Sequence, residues 1–221
     1  MKLSQLKIDP EFQSKIPPLQ FEEEQQLEQN IIAEGRLLNP IITWNGYILD
    51  GHTRYRILKK HGFIKFEVEE IQLANKYEAL AWICKNQLGR RNLSPERKKF
   101  LLGKEYESTK LAVGGQPGNC NKVNRCDQND HIDSEKRTCE RIAVEHGAGS
   151  ATVRRAEKYS RGIDAAEEAV PGAQEEILTG HIKATDEQIV ALASIPKEER
   201  PAILEELKKK KSDRDDTVFE R

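Results

Sequence analysis

The chain has 221 residues, a formal net charge of -1 and a mean hydropathy of -0.73, enough length for one large domain or two small ones. With 33% charged residues it is polar for a globular protein, yet its apolar residues recur with helix and strand periods, which argues against wholesale disorder. No run of about 18 apolar residues occurs, so no membrane-spanning helix is expected. Met1-Lys2-Leu3-Ser4-Gln5 lacks the apolar core of a secretion signal, and a cytoplasmic protein is expected.

Charge is unevenly placed. Lys85 to Arg161 holds 17 Lys and Arg against 10 Asp and Glu, leaving acidic flanks on a basic middle, the pattern of a region that meets a polyanion. Of four cysteines, Cys120 and Cys126 fall with His131 and Cys139 at spacings of five, four and seven residues. Zinc sites favour Cys pairs two to four residues apart, so no zinc is expected. Cys84 and Cys139 lie on apolar helical faces and read as core.

Leu3–Ile8 reads as a short strand, and Pro17-Pro18 interrupts the chain. Phe21–Ala33 is helical, with Leu27 and Ile31 four apart, and ends near Gly35. Ile41–Trp44 and Tyr47–Leu49 flank Asn45-Gly46, a strong hairpin signal because both turn residues tolerate positive φ. Thr53–His61 is a short helix, Phe66–Leu73 a strand, and Asn75 with Glu78 opens a further helix. Ser94-Pro95-Glu96 starts a helix running to about Val113. Residues 114–133 are rich in Gly, Asn and Asp and read as a linker.

Beyond the linker the pattern is helical. Ser134 is the expected cap of a helix through Cys139, Ile142 and Ala143; Gly147-Ala148-Gly149 is a turn; Ser150 caps a second helix to about Arg161. Shorter helices are expected at Ala165–Val170, Gln174–Leu178, Thr185–Ala193 and Pro196–Leu207, then a polar tail. The fold class is therefore α+β: a small mixed domain over 1–93, a connecting helix over 94–113, the linker, an all-α domain over 134–207 and a tail over 208–221.

Two patterns carry function. First, two short helices about a glycine turn form a helix-turn-helix pattern. At 100° per residue, Val153, Ala156 and Tyr159 share one side of the second helix, and Arg154, Lys158 and Arg161 the other. The cationic face, with Ser150, Thr152 and Arg155 beside it, suits a DNA major groove and its phosphates. Second, Asp50-Gly51-His52-Thr53-Arg54-Tyr55-Arg56 follows the hairpin directly and opens a helix. A glycine, free N–H groups of a first helical turn and two arginines favour a phosphate. Arg54 and Arg56 point about 200° apart on a helix, and Arg54 is the preferred site residue. His52 either bonds the turn or meets the ligand. Asp50 is either a general base or a turn residue.

On these residues the chain resembles the ParB family of chromosome- and plasmid-partition proteins, whose N-terminal domain shares its fold with sulfiredoxin and precedes a helix-turn-helix domain. The likeness spans residues 17 to 113 and continues past the linker. In that family a Gly-Glu-Arg-Arg-x-Arg box binds nucleotide phosphates. Gly51, Arg54 and Arg56 match it, while His52 and Thr53 replace the glutamate and first arginine. A second family box, Glu-Asn then Arg, resembles Lys85-Asn86 with Arg90-Arg91, and Lys85 stands where the family places a magnesium-binding glutamate. The resemblance implies double-stranded DNA as partner, CTP or ATP with Mg²⁺ as candidate cofactor, Asn86, Arg90 and Arg91 as further phosphate residues, and a homodimer. It places the chain among plasmid, phage or mobile-element maintenance proteins, with nucleotide hydrolysis as a candidate activity. Asp50-Gly51-His52-Thr53-Arg54 also resembles the turn of free-serine kinases on this fold, so a kinase is one alternative, with a ParB-like nuclease beside it. A transcriptional regulator that has lost nucleotide binding is another.

Overall fold

The computed structural model describes residues 3–90, 92–114 and 137–209. The chain divides into two compact units, Met1–Gln87 and Leu88–Arg221.

In the first unit three strands form a mixed sheet in the order β2-β1-β3. Strands β1 (Ile41–Trp44) and β2 (Tyr47–Asp50) form the hairpin, with Asn45 and Gly46 at φ of 48° and 76° as a primed turn requires. Strand β3 (Val68–Glu70) pairs parallel to β1. Side-chain alternation divides the core between the two faces of the sheet. Ile41 and Ile48 meet Ile31 of α2 (Phe21–Glu34) and Tyr55, Ile57 and Leu58 of α3 (His52–Lys60). Leu49 and Trp44 meet Phe12 of α1 (Pro10–Ser14) and Ala79, Leu80 and Ile83 of α4 (Lys76–Leu88).

Several local expectations are revised. Leu3–Gln5 is a 3₁₀ turn, and only Lys7 of the expected first strand pairs, bridging Tyr47. Helix α1 has the start signal Asp9-Pro10, with the Asp9 carboxylate accepting the Glu11 N–H at 2.8 Å. The expected Phe66–Leu73 strand contracts to β3.

The second unit is helical. Helix α5 (Pro95–Ala112) begins with Ser94 Oγ accepting the Arg97 N–H at 3.2 Å. Expected as a connector, α5 instead belongs to the core of this unit: Leu102 packs with Cys139, Ile142 and Ala143 of α6 (Thr138–Glu145) and Val153 and Ala156 of α7 (Ser150–Ala169). Helix α6 starts at Thr138, with Arg137 at its cap position and the Glu140 carboxylate accepting the Arg137 N–H; Ser134, the expected cap, lies outside the described residues, as do the expected linker from residue 115 on, the tail beyond Lys209, Cys120, Cys126 and His131. Gly149 holds the cap position of α7, and Ser150 is its first helical residue. Short helices α8 (Ala173–Leu178), α9 (Asp186–Leu192) and α10 (Arg200–Lys208) complete the unit.

Helix α7 runs unbroken through the region expected to be two helices, and its two neighbours explain why. A Cβ built on Gly103 of α5 would lie 2.2 Å from the Ala156 carbonyl oxygen, and one on Gly162 would lie 1.9 Å from that of Ile189 in α9. Gly162 marks a contact between backbones, not a helix end. Ionic pairs reinforce the α5–α7 face: Lys104 reaches Glu107 and Asp164 at 2.6 Å each, and Lys110 pairs with Glu157. Burial disfavours ionised Glu107, but Lys104, Arg161 and Lys110 outweigh it and hold its carboxyl below the usual range.

Replacing Gly162 with Ala should therefore destabilise the chain by about 2 kcal/mol or more, although Ala is the better helix former by about 1 kcal/mol. Gly62→Ala, where nothing lies within 4 Å, should stay within about 0.5 kcal/mol. Urea unfolding of both variants checks this; an unchanged Gly162→Ala midpoint would show that the two backbones do not touch.

Candidate functional site

The residues Asp50 to Arg56 occupy the end of β2 and the first turns of α3. A bulge between the Ile42 and Thr43 pairings places Asp50 opposite Ile42 and Ile48 opposite Thr43, leaving Leu49 as the extra residue just before the turn. Gly51 then takes φ 100°, ψ 21°, a left-handed conformation that favours glycine. An added Cβ there would also sit 3.2 Å from Arg54 Nη2 and 3.3 Å from Nε. The Arg54 guanidinium thus lies folded back over Gly51. Its Nη2 donates to Asp50 Oδ2 at 2.6 Å, and its Nη1 donates to the carbonyl oxygens of Asn39 and Pro40 at 2.9 Å each. One side chain ties the entrance of β1, the exit of β2 and the start of α3 together.

Asp50 ends β2 and Arg54 stands in α3, and their ion pair was not read from the sequence, which left Asp50 as a general base or a turn residue. The roles of the Asn39 and Pro40 carbonyls were hidden too, since main-chain acceptors leave no sequence signal. Arg56 points elsewhere, as the angular argument required, and its Nη2 meets Glu24 Oε2 of α2 at 3.0 Å on the surface. Thr53 is half-buried. Asn86 is exposed on α4, Lys85 beside it is exposed, and Arg90 is exposed in the second unit; Arg91 lies outside the described residues.

His52, the first residue of α3, is 6% exposed, and among the described residues neither ring nitrogen has a hydrogen-bond partner. Burial pushes its pKa down to about 4; the Asp50 charge opposes that and the Arg56 charge adds to it. The ring is neutral at physiological pH, offering one donor and one acceptor. Buried polar atoms without partners are uncommon and costly, so they mark a place where another polar group belongs.

In the second unit, α6 and α7 are joined by a tight turn. The Ala148 N–H donates to the Ala143 carbonyl at 2.8 Å and the Gly147 N–H to that of Val144 at 3.3 Å, the paired bonds of a Schellman ending. Val153, Ala156, Tyr159, Ser160 and Ile163 of α7 are buried, while Thr152, Arg154, Arg155 and Lys158 are exposed and Ser150 is partly so. Arg154 Nη2 also lies 3.7 Å from the buried Cys139 Sγ. Arg161 departs from the expected cationic stripe: its Nη2 donates to Glu157 Oε1 at 2.8 Å and its Nε lies 3.6 Å from Glu107 Oε1. Those acids belong to the α5–α7 packing face, and the long Arg161 side chain reaches them although its position lies only about 20° from Arg154 around the helix. The exposed cationic set is Arg154, Arg155 and Lys158. Among the described residues, no helix is long and apolar enough to cross a membrane.

No protein-family model matches the chain, and no curated protein matches it in sequence. Solved structures do. A Pnob8-like ParB-N domain aligns over 95% of this chain and 83% of its own, with 18% identity and a TM-score of 0.52. A C-terminally truncated chromosome-partitioning protein ParB from Caulobacter crescentus, solved with its centromeric parS site, aligns over 93% of this chain and 94% of its own, with 16% identity and a TM-score of 0.39. With a small three-stranded mixed sheet flanked by helices and a helical unit after it, the chain has an α+β fold of the ParB-N type.

Proposed function

We propose that the chain is a DNA-binding protein of the ParB kind, in which α6, the turn and α7 act as a helix-turn-helix and α7 faces the duplex. The observation that carries this reading is the division of α7 into a face fixed by backbone contacts to α5 and α9 and an opposite face carrying Arg154, Arg155 and Lys158. Among the described residues neither Arg155 nor Lys158 forms an ion pair, so both charges remain for phosphates. Ser150 and Thr152 in the first turn suit a base edge or a phosphate. A homodimer on paired half-sites and a role in maintaining a plasmid, phage or mobile element belong to the same proposal.

Affinity then comes largely from phosphate contacts and falls steeply with salt. Fluorescence anisotropy with duplex DNA from about 50 to 200 mM salt should show that fall, and replacing Arg154, Arg155 and Lys158 together with Ala should weaken binding at least tenfold and flatten the log–log slope by about 2 to 3. A wild-type affinity that is flat across that range would refute the reading.

The turn at Gly51 is proposed as a phosphate box. Its residues fit an anion: a first helical turn with N–H groups outside the helix ladder, the Arg54 guanidinium lying over Gly51, and the His52 nitrogens without partners among the described residues. They do not fit a divalent metal. Asp50 is the sole carboxylate among the proposed box residues and it is bonded to Arg54, while Lys85 is a cation. The triphosphate of CTP or ATP is thus held without Mg²⁺. Calorimetric titration should give the same affinity in Mg²⁺ and in EDTA, and His52→Phe should weaken it about tenfold, the loss of one buried polar partner. Binding that requires Mg²⁺, or no heat with either nucleotide, would contradict this.

A further inference from the structure

We propose that Glu105, Glu145 and His146 form a binding site for a divalent first-row transition ion, which fastens α5 to the end of α6 and to the turn before α7. One ligand atom from each residue lies within 4.8 Å of the other two, and among the described residues no other group of His, Cys, Asp and Glu converges in this way. The ligands come from two elements. Glu105 stands in the middle of α5, Glu145 is the last residue of α6, and His146 is the cap that follows.

The chemistry of the donors sets the ion. One imidazole nitrogen with two carboxylates suits Mn²⁺, Co²⁺ or Zn²⁺; Mg²⁺ and Ca²⁺ prefer oxygen alone. His146 Nε2 lies 2.7 Å from Glu105 Oε2. Neighbouring ligand atoms around an ion with bonds of about 2.1 Å are themselves about 3 Å apart, so a small opening admits the metal in place of the proton these two atoms share. Exposure is graded across the site. Glu105 is 4% exposed and the His146 side chain 19%, whereas Glu145 is exposed, giving a dry inner edge and an open side for entry and for water ligands.

The position gives the site its consequence. His146 is followed by Gly147, and the next helix is α7, so a metal here stiffens the segment that aims that helix. The inference does not depend on what α7 meets.

The test uses the full chain carrying Cys120→Ser and Cys126→Ser, so that thiols elsewhere do not compete. Mn²⁺, Co²⁺ and Zn²⁺ are titrated calorimetrically, with Mg²⁺ as the oxygen-preferring control, and thermal unfolding is followed with and without metal. Expected are a stoichiometry of one, a rise in Tm of about 4 °C at saturating Mn²⁺ or Zn²⁺, and Co²⁺ absorption in the visible range without thiolate charge transfer. His146→Asn should weaken binding about 100-fold. Glu145→Ala, which leaves the Glu105–His146 pair in place, should weaken it about tenfold in a chain that still unfolds cooperatively without metal. Absence of binding by all three transition ions, or affinity undiminished in the Glu145→Ala chain, would overturn the assignment.

Discussion

Two backbone-to-backbone contacts fix the direction of α7, and the functional reading of the second unit depends on them. At Gly103 against Ala156 and at Gly162 against Ile189, helices approach so closely that no side chain fits between them. Interiors are packed too densely to absorb such an intrusion. With that face committed, the remaining arc of α7 must hold whatever does not pack, and there stand Arg154, Arg155 and Lys158. The cationic surface is a consequence of packing elsewhere on the same helix.

The first unit is organised by a different device. Arg54 gathers Asp50 and the carbonyls of Asn39 and Pro40 around Gly51, so three segments that are distant along the chain meet at one planar guanidinium. Next to it a neutral, buried imidazole carries two nitrogens with no partner among the described residues. A rigid frame with an unsatisfied polar group beside it is the usual form of a ligand site, where local stability is given up for recognition.

Local chemistry made much of the architecture readable. The Asn45-Gly46 hairpin, the Asn75 and Ser94 caps and the Gly35 helix end each rest on interactions within a few residues, and each is present. What was hidden depends on contacts far along the chain. The helix end expected near Arg161 is absent because Gly162 packs against the Ile189 carbonyl, 27 positions away. Arg161 read as a DNA-facing cation because Glu107 lies on another helix. Among the candidate site residues, the order Gly51-His52-Arg54 was visible, but the direction of the Arg54 side chain and the burial of His52 were not, since both are set by tertiary packing.

The central claim is that the exposed arc of α7, and no other helical face of the second unit, meets DNA. The most direct measurement is amide chemical-shift mapping of the ¹⁵N-labelled chain titrated with duplex DNA at low salt. The account predicts the largest shifts from Ser150 through Lys158 and in the preceding turn, with α9 and α10 little changed. Shifts concentrated in α9 and α10, or none along α7, would contradict it.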